Sequence, residues 1–325
     1  MRARSVLFWL VVAGFLALAG MLTVLRLVQA DGGWWIRGVA FTPLAVPLYA
    51  AALVLIVARR VVGGLRGTVL VVLPIAGLVL HSFWLAPLFT GANPPPAAGA
   101  EPVIVMTANL SVGRGDGSVV LREASRRGVD LLAVEEITPG ALALMEESGL
   151  ADLFPYREGE TGTGIEGTML FSRTAIDDVV PLATSFGGFT ATVVVGEEPL
   201  RIVVAHPPSP IGSTSGWRSD HRIVLEAARG VEADLVVGDL NASPDHKVMM
   251  DLADAGWRDS VELANDGWLP TWPADGVEPV SDLPSPRLVQ IDHVLLGDRW
   301  AAVDNDVVVF GGSDHAALVA VVAPK

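Results

Sequence analysis

The sequence predicts an α+β fold: a four-layer α/β/β/α sandwich of two sheets with flanking helices, preceded by three transmembrane helices. Two observations predict it. Over about ninety residues, apolar stretches of membrane-spanning length are interrupted only by short arginine-bearing loops. After Pro102 the pattern changes to short β-branched runs separated by Gly, Pro and Asp, with helix-like segments between some of them.

The apolar runs cover residues 5–28, 39–58 and 68–89, each close to the roughly 20 residues that cross a hydrocarbon core. Residues 1–90 therefore read as a membrane anchor. Arg2 and Arg4 precede the first run, and Arg59, Arg60 and Arg66 fill the loop between the second and third. The positive-inside rule puts both segments in the cytoplasm and everything after the third span outside it. Arg26 and Arg37 lie on the opposite side together with Asp31, beside Trp34 and Trp35, which suit an interfacial belt. The first run is long and two further spans follow it, which argues against a cleaved signal peptide. His81 stands in the second half of the third span beside Ser82 and Trp84, where an imidazole reaches interfacial water or another helix. Pro43, Pro47, Pro74 and Pro87 are expected to kink or end helices.

Residues 91–101 contain a triple proline and no apolar period, so they read as a semi-rigid spacer ahead of a second domain at residues 102–325. The two parts differ sharply in charge. Residues 1–100 hold seven Arg, no Lys and one acidic residue, Asp31, whereas residues 101–325 hold 15 basic and 35 acidic residues, a formal charge of −20. Such a field repels a polyanion and disfavours nucleic acid as a substrate. The chain has no cysteine, which excludes a disulfide framework and thiolate chemistry.

Within the second domain, buried strands are expected at 103–108, 131–134, 168–171, 191–195, 201–205, 235–237, 290–295 and 318–322. Helices are expected around 119–127, 140–148, 220–229 and 246–255. Polar residues gather at the ends of these apolar runs, where a rigid scaffold presents side chains to a site. Asn109 follows Val-Met-Thr-Ala, Glu135 and Glu136 follow Leu-Leu-Ala-Val, and His206 follows Arg-Ile-Val-Val-Ala. Asp239 and Asn241 end Leu-Val-Val-Gly-Asp-Leu-Asn, Asp292 and His293 stand in Gln-Ile-Asp-His, and Ser313, Asp314 and His315 precede the last strand. Singly, each piece has a plainer reading. Gly-Asp-x-Asn is a common turn, a carboxylate pair is usually solvated, and a His after a strand is usually structural.

In this order the pieces resemble the endonuclease/exonuclease/phosphatase superfamily, which includes deoxyribonuclease I, apurinic-site endonucleases, neutral sphingomyelinases and inositol polyphosphate 5-phosphatases. The similarity runs from about Pro102 to Pro324, with support from the small-residue strand 167–173 and from Thr271. It implies a divalent cation, Mg²⁺ or Mn²⁺, held by Glu136 with Asn109 and Asp314 near it. Glu135 takes the preceding place, which the family usually fills with Gln, so either Glu135 or Glu136 could face the metal. The resemblance further implies that Asp239 orients or deprotonates the attacking water and that Asn241 holds a phosphate oxygen. His315 would stabilise the phosphoryl group with its tautomer fixed by Asp292, and His206 would be a second phosphate-facing imidazole. Arg114, Arg218 and Arg222 either engage a phosphate or headgroup or are solvent-facing charges. Asp220, His221 and His246 fall outside the motif and read as helix-cap or surface residues.

Three spans followed by such a domain also resembles the teicoplanin-resistance membrane proteins of actinobacteria, and an Ala, Val, Gly and Arg bias with no Lys before Lys247 suits a GC-rich genome. The expected activity is metal-dependent hydrolysis, outside the cytoplasm, of a lipid-linked or envelope phosphoester or pyrophosphate, with the bilayer and a phosphorylated substrate as partners. A surface nuclease is the alternative enzyme, and an inactive envelope-ligand binding module is the alternative of another class.

Overall fold

The computed structural model describes residues 2–63, 69–91, 94–195, 198–278 and 283–325. The chain forms two compact units, Met1–Pro87 and Leu88–Lys325.

The first unit is helical. Long helices run over Arg2–Val28, Ala45–Gly63 and Val69–Leu85, and a short one covers Gly33–Val39. Ala19, Leu22, Leu25, Val39, Ala45 and Tyr49 form its core. Gly77 lets the Tyr49 ring pack on the backbone, since a Cβ there would lie 2.5 Å from that ring. Outward-facing Leu7, Leu10, Val24 and Leu27 are exposed, as lipid-facing residues of a span are. His81 is buried, and its Nε2 lies 2.9 Å from the Thr23 hydroxyl, which also meets the Tyr49 hydroxyl at 3.0 Å. The imidazole thus reaches another helix.

Two helical segments, Ser5–Val28 and Thr42–Val61, are long and apolar enough to span a bilayer. The second begins three residues later than residue 39 because Gly33–Val39 closes as its own helix and Thr42–Leu44, with Pro43, forms a 3-10 turn. The third expected span departs more. Its helix ends at Leu85 and a separate short helix starts at Pro87, so the apolar helix there covers only Leu70–Leu85. Proline disfavours helical geometry in the residue before it, which accounts for the break at Ala86. Arg66 and Thr68 lie outside the described residues, as do Ala92 and Asn93 of the spacer. Beyond its prolines, the spacer is bound to the second unit: the Ala97 amide donates to the Pro324 carbonyl at 2.9 Å.

The second unit contains strands β1 (Val103–Asn109), β2 (Leu131–Glu135), β3 (Tyr156–Glu160), β4 (Thr168–Ser172), β5 (Ile176–Pro181), β6 (Gly188–Val195) and β7 (Glu198–Ala205). They continue as β8 (Leu235–Asp239), β9 (Arg258–Asp259), β10 (Val277–Glu278), β11 (Leu283–Pro284), β12 (Asp292–Leu296), β13 (Trp300–Val308) and β14 (Ala317–Pro324). One sheet has the order β13-β14-β1-β2-β4-β3, the other β5-β6-β7-β8-β12-β9, and β10 and β11 form a separate ribbon.

Period-two alternation builds the layers. Val103, Val105, Leu131 and Ala133 from the first sheet meet Ile202, Val204, Leu235, Val237 and Val294 from the second in one buried core. On the outer face of the first sheet, Met106, Ala108, Leu132 and Val134 pack under helices Gly117–Arg127 and Pro139–Glu147 through Val120, Leu121, Ala124 and Met145. Helix Thr214–Val231 covers the second sheet with Trp217, His221, Val224 and Ala228 buried. The result is a two-sheet α+β sandwich with helices outside.

Candidate active site

The parity that builds the core also builds the site. In β1, Val103 and Val105 face the opposite sheet, so Thr107 and Asn109 continue that face; in β2 the same face ends in Glu135. In the second sheet, Ile202 and Val204 of β7 lead to His206, Leu235 and Val237 of β8 lead to Asp239, and Val294 of β12 shares a face with Asp292. Polar side chains from both sheets therefore meet at one mouth of the sandwich. The Asn109 amide ties the sheets together, donating to Asp239 Oδ2 at 2.9 Å and to Glu136 Oε1 at 3.2 Å. Gly238 permits the close approach of β7 and β8, because a Cβ there would sit 2.1 Å from the Ala205 carbonyl.

Around Asp239, Oδ1 accepts the Asn241 backbone N–H at 2.8 Å, and the Nε2 atoms of His206 and His315 each stand 3.6 Å from Oδ2. His315 Nδ1 lies 3.1 and 3.0 Å from the two oxygens of Asp292. Asp314 accepts the Ser111 hydroxyl at 2.8 Å and the Trp272 indole N–H at 3.1 Å. Ser313 Oγ donates to the Asn109 carbonyl at 2.7 Å and accepts the His315 amide at 3.0 Å, which fixes the last strand's approach to β1. Ser111, Val112, Glu136 and Asn241 all have left-handed φ, between 47° and 58°. Glu136 follows Glu135 on the wrong parity for the mouth, and this backbone twist brings its carboxylate to Asn109. Such strain in non-glycine residues concentrates where side-chain placement is over-determined by function.

Burial of charge dominates the electrostatics. It holds Glu135 well above the usual carboxylate range, reinforced by Asp292 and Asp239, although the Thr107 hydroxyl donates to it at 3.0 Å. Burial likewise raises Glu136, and raises Asp239 to about 7 against the pull of His315. At Asp314 burial is outweighed by His315, Ser111 and Trp272, so its pKa is lowered. His206 is pushed down to about 3 by burial and by His315. For His315, burial opposes the proton, but Asp292 and Asp239 outweigh it and raise the pKa well above the ordinary value.

The Endonuclease/Exonuclease/phosphatase family matches residues 106–315, a stretch that runs from β1 to the His315 motif. The chain belongs to this family. As a member it is a hydrolase of phosphoester bonds. No curated protein matches the chain. Among solved structures, D. rerio TDP2 complexed with single-strand DNA product is 12% identical with a TM-score of 0.56, covering 68% of this chain and 99% of that one. An AP endonuclease from Archaeoglobus fulgidus gives 14% identity and a TM-score of 0.53, covering 67% of this chain and 98% of that one. Sphingomyelinase C from Streptomyces griseocarneus gives 15% identity and a TM-score of 0.50, covering 69% and 100%. At these identities the likeness is one of fold.

The family's motif residues converge, and three residues outside the motif, Asp220, His221 and His246, are placed differently than expected. Glu136 shares hydrogen bonds with Asn109 and with the Val112 amide, whereas Glu135 lies wholly buried beneath the mouth on Thr107. Arg114 is joined to the rim through Ser111, donating from Nη2 to Oγ at 2.7 Å. Arg218 and Arg222 are exposed on helix Thr214–Val231. Asp220 and His221 are buried, contrary to a surface reading, because the amphipathic helix Thr214–Val231 turns them inward, and His246 is buried against Trp217 of that helix. His246 stands at a helix N-cap position, but its ring accepts the Ser243 amide instead of capping the helix.

The residues present suit a hard cation. The side chains and amides that hydrogen-bond Glu136 and Asp314 are neutral donors, so two half-buried carboxylates stand at the mouth as oxygen ligands of the kind Mg²⁺ takes, with the His315 imidazole as the cationic group near them. Asp239, Asp292 and His315 also each offer a ligand atom within 4.8 Å of one another. In that trio, however, Asp292 and His315 are already bonded to each other.

Proposed function

We propose that this chain is a membrane-anchored, divalent-cation-dependent phosphoester hydrolase whose second unit acts outside the cytoplasm on a lipid-linked or envelope phosphoester or pyrophosphate. The observation that carries this reading is the union, in one chain, of the family's acid–imidazole mouth with a helical unit bearing two spanning-length apolar helices. Glu136, Asn109 and Asp314 would hold the cation, which when bound supplies positive charge to the phosphoryl oxygens.

The remaining work belongs to the chain's own groups. Asp239, aligned by the Asn109 amide and the Asn241 N–H, orients an attacking water and takes its proton. The Asn241 side chain holds a phosphate oxygen. His315, oriented through Nδ1 by Asp292, presents Nε2 to the phosphoryl group, and His206 offers a second imidazole that stays neutral. Exposed Val112, Ile165 and Ile211 lie on the loops after β1, before β4 and after β7. An apolar rim suits a substrate borne by a lipid, while the domain's charge of −20 opposes a polyanion.

Full-length protein in detergent, supplied with Mg²⁺ or Mn²⁺, should release phosphate from lipid pyrophosphates or cleave phospholipids in preference to DNA. EDTA, Asp239→Ala or His315→Ala should abolish this. Equal rates with and without metal on every substrate would defeat the proposal, and a preference for DNA would move it to a surface nuclease. An alkaline phosphatase fusion after Pro96 should be active; an inactive fusion reverses the orientation.

A further inference from the structure

The turn that carries Asp239 and Asn241 is gripped from behind by three aromatic rings. Three consecutive carbonyls each accept a ring N–H: Leu240 from His221 Nε2 at 2.9 Å, Asn241 from Trp217 Nε1 at 3.0 Å and Ala242 from His293 Nε2 at 2.8 Å. The next residue reverses the polarity, with the Ser243 N–H donating to His246 Nδ1 at 2.8 Å. Trp217 and His221 come from helix Thr214–Val231 and His293 from the outward face of β12, so two separate elements close on one turn. All four rings are buried, and Trp217 meets His221 and His246 edge-on with centroids 5.0 and 5.3 Å apart. Packed rings lose little freedom when they donate, so they hold a carbonyl direction more firmly than a flexible side chain.

The planarity of the peptide bond carries this grip to the catalytic atoms. The Leu240 carbonyl and the Asn241 N–H share one peptide plane, and that N–H is the donor to Asp239 Oδ1 at 2.8 Å. Fixing the carbonyl by His221 on one side therefore fixes the N–H that aims Asp239 on the other. Likewise, Trp217 holds the carbonyl end of Asn241, a residue kept at a left-handed φ of 48° with its amide 3.1 Å from the Pro207 carbonyl.

We infer that Trp217, His221 and His293 are positioning residues for the hydrolytic reaction, a three-ring clamp that sets the aim of Asp239 and Asn241 through the backbone of their shared turn. The inference rests on the hydrolase reading above. Its test uses full-length protein in detergent with Mg²⁺ and bis(p-nitrophenyl) phosphate as the probe substrate. Trp217→Phe keeps a buried six-membered aromatic ring and deletes one N–H together with the pyrrole ring, His221→Leu deletes another N–H, and His221→Gln restores a donor. The deletions should lower kcat about 10- to 100-fold with KM changed less than about twofold, and His221→Gln should recover most of the loss. Hydrogen exchange of the peptide spanning residues 239–243 should quicken in both deletion variants and return in His221→Gln. If His221→Leu fails to fold, Trp217→Phe decides the matter. Wild-type kcat in the deletion variants, or unaltered exchange in that peptide, overturns the clamp. An inactive wild type instead counts against the hydrolase reading, and the exchange measurement still judges the clamp.

Discussion

Asp292 and His293 are neighbours on β12, yet they belong to two carboxylate–imidazole pairs of opposite design, one on each face of the second sheet. On the outward face His293 is closed: Nδ1 meets Asp259 Oδ2 at 2.5 Å and Nε2 meets the Ala242 carbonyl. Asp259 is also occupied, by the Gln290 amide at 3.0 Å and the Val261 N–H at 2.8 Å. On the inward face His315 is open: Nδ1 is held by Asp292, but Nε2 points at Asp239 across 3.6 Å with no hydrogen bond closed. The same two side-chain types thus make a closed structural tie in one place and, in the hydrolase proposed above, a reactive group in the other. What separates them is whether the second ring nitrogen is satisfied.

The contrast is broken most severely on the open side. His315→Ala should lower kcat about 1000-fold or more, roughly 4 kcal/mol of transition-state stabilisation, while the melting temperature moves little. Kinetics and thermal melts on the same preparation test this, and a loss under tenfold would mean that the open imidazole is not chemical. On the closed side the cost should fall on stability. Asp259→Ala leaves the buried His293 Nδ1 without its partner, which costs about 1–3 kcal/mol. The folded fraction should retain kcat within about tenfold. Denaturation midpoints would show it, and a larger effect on kcat than on the midpoint would erase the distinction between the faces.

How much of this was legible in the sequence follows from where each element sits. The eight expected strands correspond to β1, β2, β4, β6, β7, β8, β12 and β14. The strands that pattern reading missed in the two large sheets, β3, β5, β9 and β13, are the edges of those sheets. An edge strand packs on one side only and carries polar residues to avoid further pairing, as Tyr-Arg-Glu-Gly-Glu in β3 and Ile-Asp-Asp-Val-Val-Pro in β5 show. Apolar periodicity cannot announce it. The candidate site was legible for the converse reason: Asn109, His206, Asp239 and Asp292 end or begin strongly apolar runs, so parity alone puts them at the mouth. Trp217, His221 and His293 were not, because a ring donating to a backbone carbonyl leaves no spacing or composition signal. Helix Thr214–Val231 starts six residues before expectation, since Gly216, Arg218 and Ser219 hide the buried Trp217 within a polar stretch.

The smallest effect separates the buried imidazoles by the sign of their pH dependence. His221 is pushed down to about 3, by burial above all, so its folded state prefers the neutral ring. Its contribution to stability is complete above the unfolded value near 6.5 and is lost as pH falls from there toward 3. His293 runs the other way. Burial opposes its proton, but the hydrogen bond and charge of Asp259 outweigh this and raise its pKa. Its contribution is complete below the unfolded value and is lost as pH rises through the raised one. His221→Gln should therefore flatten the acid side of the stability profile relative to wild type, by about 1.4 kcal/mol per pH unit between roughly pH 6 and 5. Asp259→Asn should lower stability chiefly on that same acid side, where the charged pair is intact, and converge toward wild type as pH rises. Chemical denaturation from pH 5 to 9 distinguishes the two. Curves for His221→Gln and wild type that stay parallel below pH 6.5 would show that His221 accepts its proton without cost, and the neutral donor to the Leu240 carbonyl would have to be reassigned.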